Sequence, residues 1–392
     1  MDRISFYKAD VTELEKNLLD NVIESKSLTV GPFMHRFQEE VRRFLNAPYF
    51  LATASGTAAL HIATKVLGWG EGDEVMISPL IHVGVANTLV VEKVAVRLVD
   101  IDPERLSLDP SKVREVLERD YVRTPNGLKN KNSGNLLKGI VLYHIYGIPA
   151  RVEEFLRLKE EFGLQILEVC WESFASKYRH MNEYISTGIA GDAGVYSFTR
   201  YGVVNVGEGG GVAFKNKEDF ERGDMLRYHG IPSEYVEYQA IMGGFNYNID
   251  ELSCAVGLGQ MMRISEILKR RRGVYEAYRN ELKGVEGVNL IQPVKDTDIT
   301  WYSVVVKLSP AIDRGKVIQF LLSRGIPTKV FYPALFRLQF YRNLVDSDSI
   351  KELKVADSVC SSVLSLPFYG DLTEADIAYV VGTLKDALVS FH

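Results

Sequence analysis

The segment Glu168-Val-Cys-Trp-Glu172 closes an apolar run that begins at Leu164 and carries two carboxylates four positions apart. Two carboxylates near a strand end can share the work of acid and base. A glutamate at each end of a hydrophobic stretch equally marks where a strand leaves the core. Ala54-Ser-Gly-Thr57 precedes an apolar helical stretch to Leu67. Small residues opening a helix leave free N–H groups that face an anion, and a phosphate fits there; the alternative is a plain N-cap. Ser197-Phe-Thr-Arg200 runs through Tyr201 into Gly207-Glu-Gly-Gly-Gly211. A hydroxyl at a strand end beside a glycine-rich turn can hold a phosphate oxygen, and the same glycines can be hairpin punctuation. Gly243-Gly-Phe-Asn-Tyr-Asn248 sets a glycine turn and two amides before a long helical stretch; read alone it is a loop and a helix start.

These segments need a scaffold that brings distant turns together. From residue 50 to about 215 short β-rich runs alternate with helical patterns. Strands are predicted over 73–78, 94–100, 139–144, 164–169, 194–198 and 211–215. Helices are predicted over 57–67, 110–119 and 152–162. Such alternation predicts a mostly parallel sheet covered on both faces, with ligands at the carboxyl ends of its strands. Residues 120–137, with Pro125, Gly127, Gly134 and four asparagines, read as an exposed loop. A long helix is expected over 249–282. Its basic run Lys269-Arg-Arg-Arg272 reads as a solvated face or subunit contact. A smaller α/β region follows, with strands at 302–307 and near 328–331 and helices at 315–324 and 374–388. The domain boundary is placed inside the long helix, giving a large domain at 1–255 and a small one at 256–392.

The 392 residues have 46% hydrophobic and 25% charged side chains and a formal net charge of −5. That balance belongs to a globular enzyme and offers no general attraction to nucleic acid or anionic membranes. No apolar run is long enough to span a bilayer. The N-terminal stretch carries charges throughout with no apolar signal core, so a cytoplasmic location is expected. Cys170, Cys254 and Cys360 are scattered in apolar context, which reads as buried free thiols; a metal site would want paired spacing.

In order and spacing, these segments resemble the DegT/DnrJ/StrS sugar aminotransferases, of the fold-type I pyridoxal-phosphate (PLP) class. The resemblance covers nearly the whole chain. It rests on Ser27-Leu-Thr-Val-Gly-Pro32, Ala54-Ser-Gly-Thr-Ala-Ala-Leu60, Gly72-Asp-Glu-Val75, Val99-Asp-Ile-Asp-Pro103 and His144-Ile-Tyr-Gly147. It rests also on His229-Gly230, Gly244-Phe-Asn-Tyr247, Phe331-Tyr-Pro-Ala-Leu335 and Leu364-Ser-Leu-Pro-Phe368. The spacing of Ser197 to Gly210 is most similar to the branch acting on cyclitols and aminohydroxybenzoate precursors. The resemblance implies a three-layer α/β sandwich with a smaller C-terminal α/β domain, and a homodimer with active sites at the subunit interface. Carried over, Gly56, Thr57 and Ser197 would meet the coenzyme phosphate, and Asn246 would reach the phosphate in the neighbouring subunit's site.

Four positions depart from the family pattern. Counting back from Gly207-Glu-Gly-Gly210, the Schiff-base lysine falls on Gly202, which has no amine to hold the coenzyme or shuttle a proton. The acidic partner of the pyridinium nitrogen falls on Val169, whose side chain would leave that nitrogen unpaired at a cost of roughly 1–3 kcal/mol. The position three further on, usually Gln or His, is Glu172, whose charge would face the coenzyme's phenolate oxygen. The ring-stacking aromatic position falls on His82. These departures imply a pseudo-aminotransferase that keeps a nucleotide-sugar or cyclitol pocket, paired with itself or with an active paralogue. Two alternatives stand beside it. One is a repurposed enzyme doing isomerase- or dehydratase-type acid–base chemistry on a keto sugar, with Glu172, His82, Glu208, His144 and Tyr201 as candidates; His82 and His144 equally fit satisfied core histidines. The other is an aminotransferase using noncovalent PLP or pyridoxamine phosphate.

Overall fold

The computed structural model describes residues 4–232, 239–342, 344 and 347–391. Its frame is a nine-stranded sheet. In chain order the strands are β1 (Tyr49–Thr53), β2 (Asp73–Ile77), β3 (Ala95–Leu98), β4 (Tyr121–Thr124), β5 (Gly127–Asn130), β6 (Leu136–Tyr143) and β7 (Gln165–Val169). After β8 (Lys177–His180) and β9 (Glu183–Ser186), which pair with each other elsewhere, β10 (Ala193–Ser197) and β11 (Gly210–Phe214) complete the sheet. Its central order is β1-β11-β10-β7-β6-β2-β3. The pairings from β10 to β3 are parallel, while β11 is antiparallel to both its neighbours. The central strands β7 and β10 are almost wholly buried, as expected where helices cover both faces.

The polar segment 120–137 is not a loop throughout. β4 and β5 form a hairpin through Pro125 and Asn126, and β5 joins β6 with Leu128 opposite Leu137. Alternating burial along β5 puts Leu128 and Asn130 inward, a period-2 signal too short to stand out from the surrounding asparagines.

The long helix is two helices, Glu251–Met262 and Ile264–Glu281, broken at Arg263. The boundary at 255/256 falls inside the first. The basic run does not lie on one solvated face: Lys269 and Arg272 are exposed and Arg271 is buried. Four- and three-residue steps along the helix place Arg271 with Ile267, Val274, Tyr275 and Tyr278 on the inner stripe. Arg271 donates to the carbonyls of Trp301 at 2.7 Å and Tyr201 at 3.3 Å and stacks on Phe368.

A second sheet, β12 (Val288–Leu290), β14 (Val304–Leu308) and β15 (Val363–Leu366), packs against the helices Arg314–Ser323 and Glu374–Ser390; a two-residue strand, β13 (Thr297–Asp298), lies between and pairs with β8. In place of a strand near 328–331 there is one bridge, Lys329 with Ser365. One apolar core runs from Leu51 on β1 to Leu388 on the last helix. The three cysteines are buried and free. Among the described residues no helix is long and apolar enough to cross a membrane.

Candidate functional site

A cavity of about 480 Å³ opens at the carboxyl ends of the sheet strands, where an open parallel sheet places its ligands. The turn after β1 supplies Ser55, Gly56 and Thr57. The turn after β2 brings His82, the end of β6 is Tyr143, and the turn after β7 carries Trp171 and Glu172. The end of β10 supplies Ser197, followed by Thr199, Arg200 and Tyr201. Glu208, Tyr302, Lys329 and Tyr332 close the wall.

The helix Gly56–Val66 points its N-terminus into the cavity. Ser55 caps it, its Oγ accepting from Ala58 N–H at 3.0 Å. The N–H groups of Gly56 and Thr57 have no acceptor within the helix. An ideal Cβ on Gly56 would stand 2.7 Å from Ser197 Cβ and 3.0 Å from Trp171 Nε1, so only glycine allows the β10 hydroxyl this close. Ser197 and Thr199 pair their hydroxyls at 3.2 Å.

Glu172 is buried against three donors. The Tyr143 hydroxyl donates to Oε1 at 2.8 Å, Tyr146 N–H to Oε2 at 2.5 Å, and Tyr332 also donates to Oε1. Burial raises its pKa to about 7 against the pull of these donors. Glu168 does not join it. It is fully buried on the other side of the strand, accepting from Gly188, Ala190 and Gly191 N–H and from His144 Nε2. Burial alone would raise its pKa, but His144 and the backbone donors outweigh it and hold the group below its ordinary range. His144 Nδ1 accepts from Ala150 N–H at 3.0 Å, so Nε2 carries the proton. Its ring is committed within the core, away from the cavity.

His82 has two engagements. Its Nδ1 accepts from Gly84 N–H and caps the helix Val83–Val91. Its ring meets Trp171 and Tyr332 edge-on, at 5.3 and 5.4 Å between centroids. Burial lowers its pKa, which favours the neutral ring.

The cavity thus gathers Gly56, Thr57, His82, Glu172 and Ser197. Gly202 lies in the adjoining turn, its N–H bonded to Thr199 O at 3.2 Å; its neighbour Tyr201 faces the cavity and meets Phe6, Tyr7, Tyr302 and Phe331. Val169 is fully buried at the end of β7, opposite Tyr143 and Val195. Asn246 is exposed and bridges Tyr228, outside this cavity.

Sequence reasoning missed Trp171, Tyr143, Tyr302, Lys329 and Tyr332. Lys329 is the lysine on the cavity wall; Lys177 and Lys215, nearer in sequence to the turn, are not part of it. Only Trp171 left a local signal, a large aromatic two residues past the end of an apolar strand. The others arrive through long-range packing.

The DegT/DnrJ/EryC1/StrS aminotransferase family model matches residues 9–385. The GDP-perosamine synthase of Caulobacter vibrioides is 27% identical over 96% of this chain and 96% of its own. That of Escherichia coli O157:H7 is 24% identical over 98% and 99%. Among solved structures, the aminotransferase TlmJ from Streptoalloteichus hindustanus has a TM-score of 0.87 at 23% identity, covering 99% of this chain and 100% of its own. Helicobacter pylori PseC, an aminotransferase involved in the biosynthesis of pseudoaminic acid, has a TM-score of 0.88 at 20% identity over the full length of both. The chain belongs to the DegT/DnrJ/EryC1/StrS aminotransferase family.

Proposed function

We propose that this chain is a pseudo-aminotransferase: it keeps the family's fold and a pocket for a nucleotide sugar or cyclitol, and it does not transaminate through a lysine-bound coenzyme. The observation that carries this reading is Gly202, at the position of the Schiff-base lysine. Three others support it. Val169, at the position of the pyridinium partner, is enclosed in apolar core with no carboxylate. Glu172 brings an ionisable carboxyl to the place of a neutral side chain. Lys329, at the cavity, is exposed, its backbone tied to Ser365. The residues present do not fit PLP. We read residues 1–255 as the large domain and 256–392 as the small one. We read the assembly as a dimer, with itself or a paralogue, in which Asn246 faces the neighbour's site; light scattering of the purified chain tests this, and a monomer would overturn it.

The test of function is direct. Purified protein mixed with PLP, treated with borohydride and weighed intact is expected to show no coenzyme adduct. An adduct mapped to any lysine, Lys329 included, would sink the proposal.

The Glu172 carboxyl favours a second reading, acid–base isomerisation or dehydration of a keto sugar. A group titrating near neutrality on a cavity wall suits proton transfer. Turnover of a keto sugar without PLP, lost in Glu172→Gln, would establish it; inertness across a broad nucleotide-sugar panel would reject it.

A further inference from the structure

Trp171 is 8% exposed, and its Nε1 has no hydrogen-bond partner. A buried donor left unpaired is costly, and this one lines the cavity beside the unpaired N–H groups of a helix start. The indole runs between two helix N-termini. Its Nε1 edge lies 3.0 Å from an ideal Cβ on Gly56, and its Cη2 lies 3.3 Å from one on Gly84. Its far end thereby reaches His82, whose imidazole is already in contact with Trp171 and Tyr332.

A planar ring held between two others needs them about 7 Å apart, twice the ~3.5 Å contact distance. The rings of His82 and Trp171 have centroids 5.3 Å apart and meet edge-on at 70°, so they leave no parallel slot of that width. The indole, in reach of both Gly56 and His82, occupies space between the helix start and the imidazole. The phosphate end of the site is intact, because Gly56, Thr57, Ser197 and Thr199 all face the cavity. Arg200 and Lys329 line the same cavity and bring positive charge, beside the carboxyls of Glu172 and Glu208.

We propose that Trp171 blocks the coenzyme-ring slot and converts the cradle below it into a site for a compact oxyanion, a phosphate group that carries no aromatic ring. The Nε1–H of Trp171 donates to that oxyanion, alongside the N–H groups of Gly56 and Thr57. This rests on the pseudo-aminotransferase reading and adds to it both a residue that enforces the loss and the chemistry of what is taken instead.

Calorimetric titration of the full chain with orthophosphate, and separately with PLP, tests it in the wild type, Trp171→Phe and Trp171→Ala. The wild type is expected to bind orthophosphate, and to bind PLP no more tightly. Trp171→Phe keeps a ring and loses the N–H; its orthophosphate affinity should fall about tenfold. Trp171→Ala should reverse the order and take PLP at least tenfold more tightly than orthophosphate. Wild type that ignores orthophosphate or prefers PLP overturns the proposal, as does Trp171→Phe binding phosphate like wild type or Trp171→Ala keeping the wild-type order. A borohydride-fixed adduct on the wild type is a separate failure, that of the pseudo-aminotransferase reading itself.

Discussion

The hydroxyl of Tyr143, at the last position of β6, donates a 2.8 Å hydrogen bond to Glu172, three residues past the end of the adjacent β7. The carboxyl so enclosed has its pKa raised from 4.5 to about 7, burial being the largest cause. The native state then holds a proton between those values that the unfolded chain releases, so stability falls as pH rises through that window. The unfolding free energy of wild type minus that of Glu172→Gln should decrease by about 3 kcal/mol between pH 4.5 and 7.5. Urea titrations of both proteins across that range measure it. A flat difference would mean that the carboxyl is not held protonated.

Glu168 should behave in the opposite sense. Its folded pKa is lowered, so it contributes stability above the ordinary carboxylate range that is lost on acidification. Glu168→Ala leaves the N–H groups of Gly188, Ala190 and Gly191 and the His144 ring without their acceptor. A loss of about 3–5 kcal/mol is expected, read by urea unfolding at pH 7. Phosphate binding at the cavity, measured below the melting temperature, should be unchanged. A change there would place Glu168 in the site after all.

The contrast between these two glutamates shows what a sequence can carry. Both lie at one strand end, four residues apart, and a pairing of acid and base was a fair expectation. The strand and the turn after it send them to different partners, and those partners come from 143–146, 188–191 and 332. The apolar runs of the central strands were legible because burial on both faces leaves few polar residues in them. The β4–β5 hairpin was not, since its inward residues are only Leu128 and Asn130. The helix Glu13–Ser25 announces itself by the capping box Thr12 and Glu15, a local signal carried by the sequence. That Gly56, Thr57 and Ser197 would meet at one site was legible because small residues at a helix start and a hydroxyl at a strand end are local features, and all three line the cavity. The role of Trp171 was not, because its meaning depends on His82 and Gly84 some ninety residues away.

Arg271 ties the turn at Tyr201 to the C-terminal region. Its guanidinium has backbone carbonyls and the Phe368 ring as partners and no carboxylate within ion-pair distance among the described residues. Burial lowers its pKa to about 10, so it stays charged at neutral pH. Arg271→Met keeps the packing of the stem and removes the donors; a loss of about 1–3 kcal/mol is expected. Arg271→Ala should lose about 1–2 kcal/mol more through the lost packing. Urea unfolding of the pair separates the two contributions, and equal losses would show that the donors alone matter.

Restoring transamination should take more than the amine. An ideal Cβ on Gly202 would stand 3.1 Å from Val204 O and 3.2 Å from Thr199 O. Those carbonyls must yield by a few tenths of an ångström, a modest strain at a backbone conformation any residue can adopt. Gly202→Lys should therefore fold and still show no turnover with amino donors, because Val169 offers the ring nitrogen no carboxylate. Adding Val169→Asp supplies that partner at the risk of a buried charge, costing several kcal/mol while unpaired. With the indole still across the slot, the double variant should bind PLP weakly. The triple variant with Trp171→Ala should be the first of the series to hold the coenzyme and be trapped by borohydride at position 202. Absorbance titration with PLP followed by intact mass ranks the four proteins. Activity in Gly202→Lys alone would refute the roles given to both Val169 and Trp171, and activity in the double variant would refute that of Trp171 only.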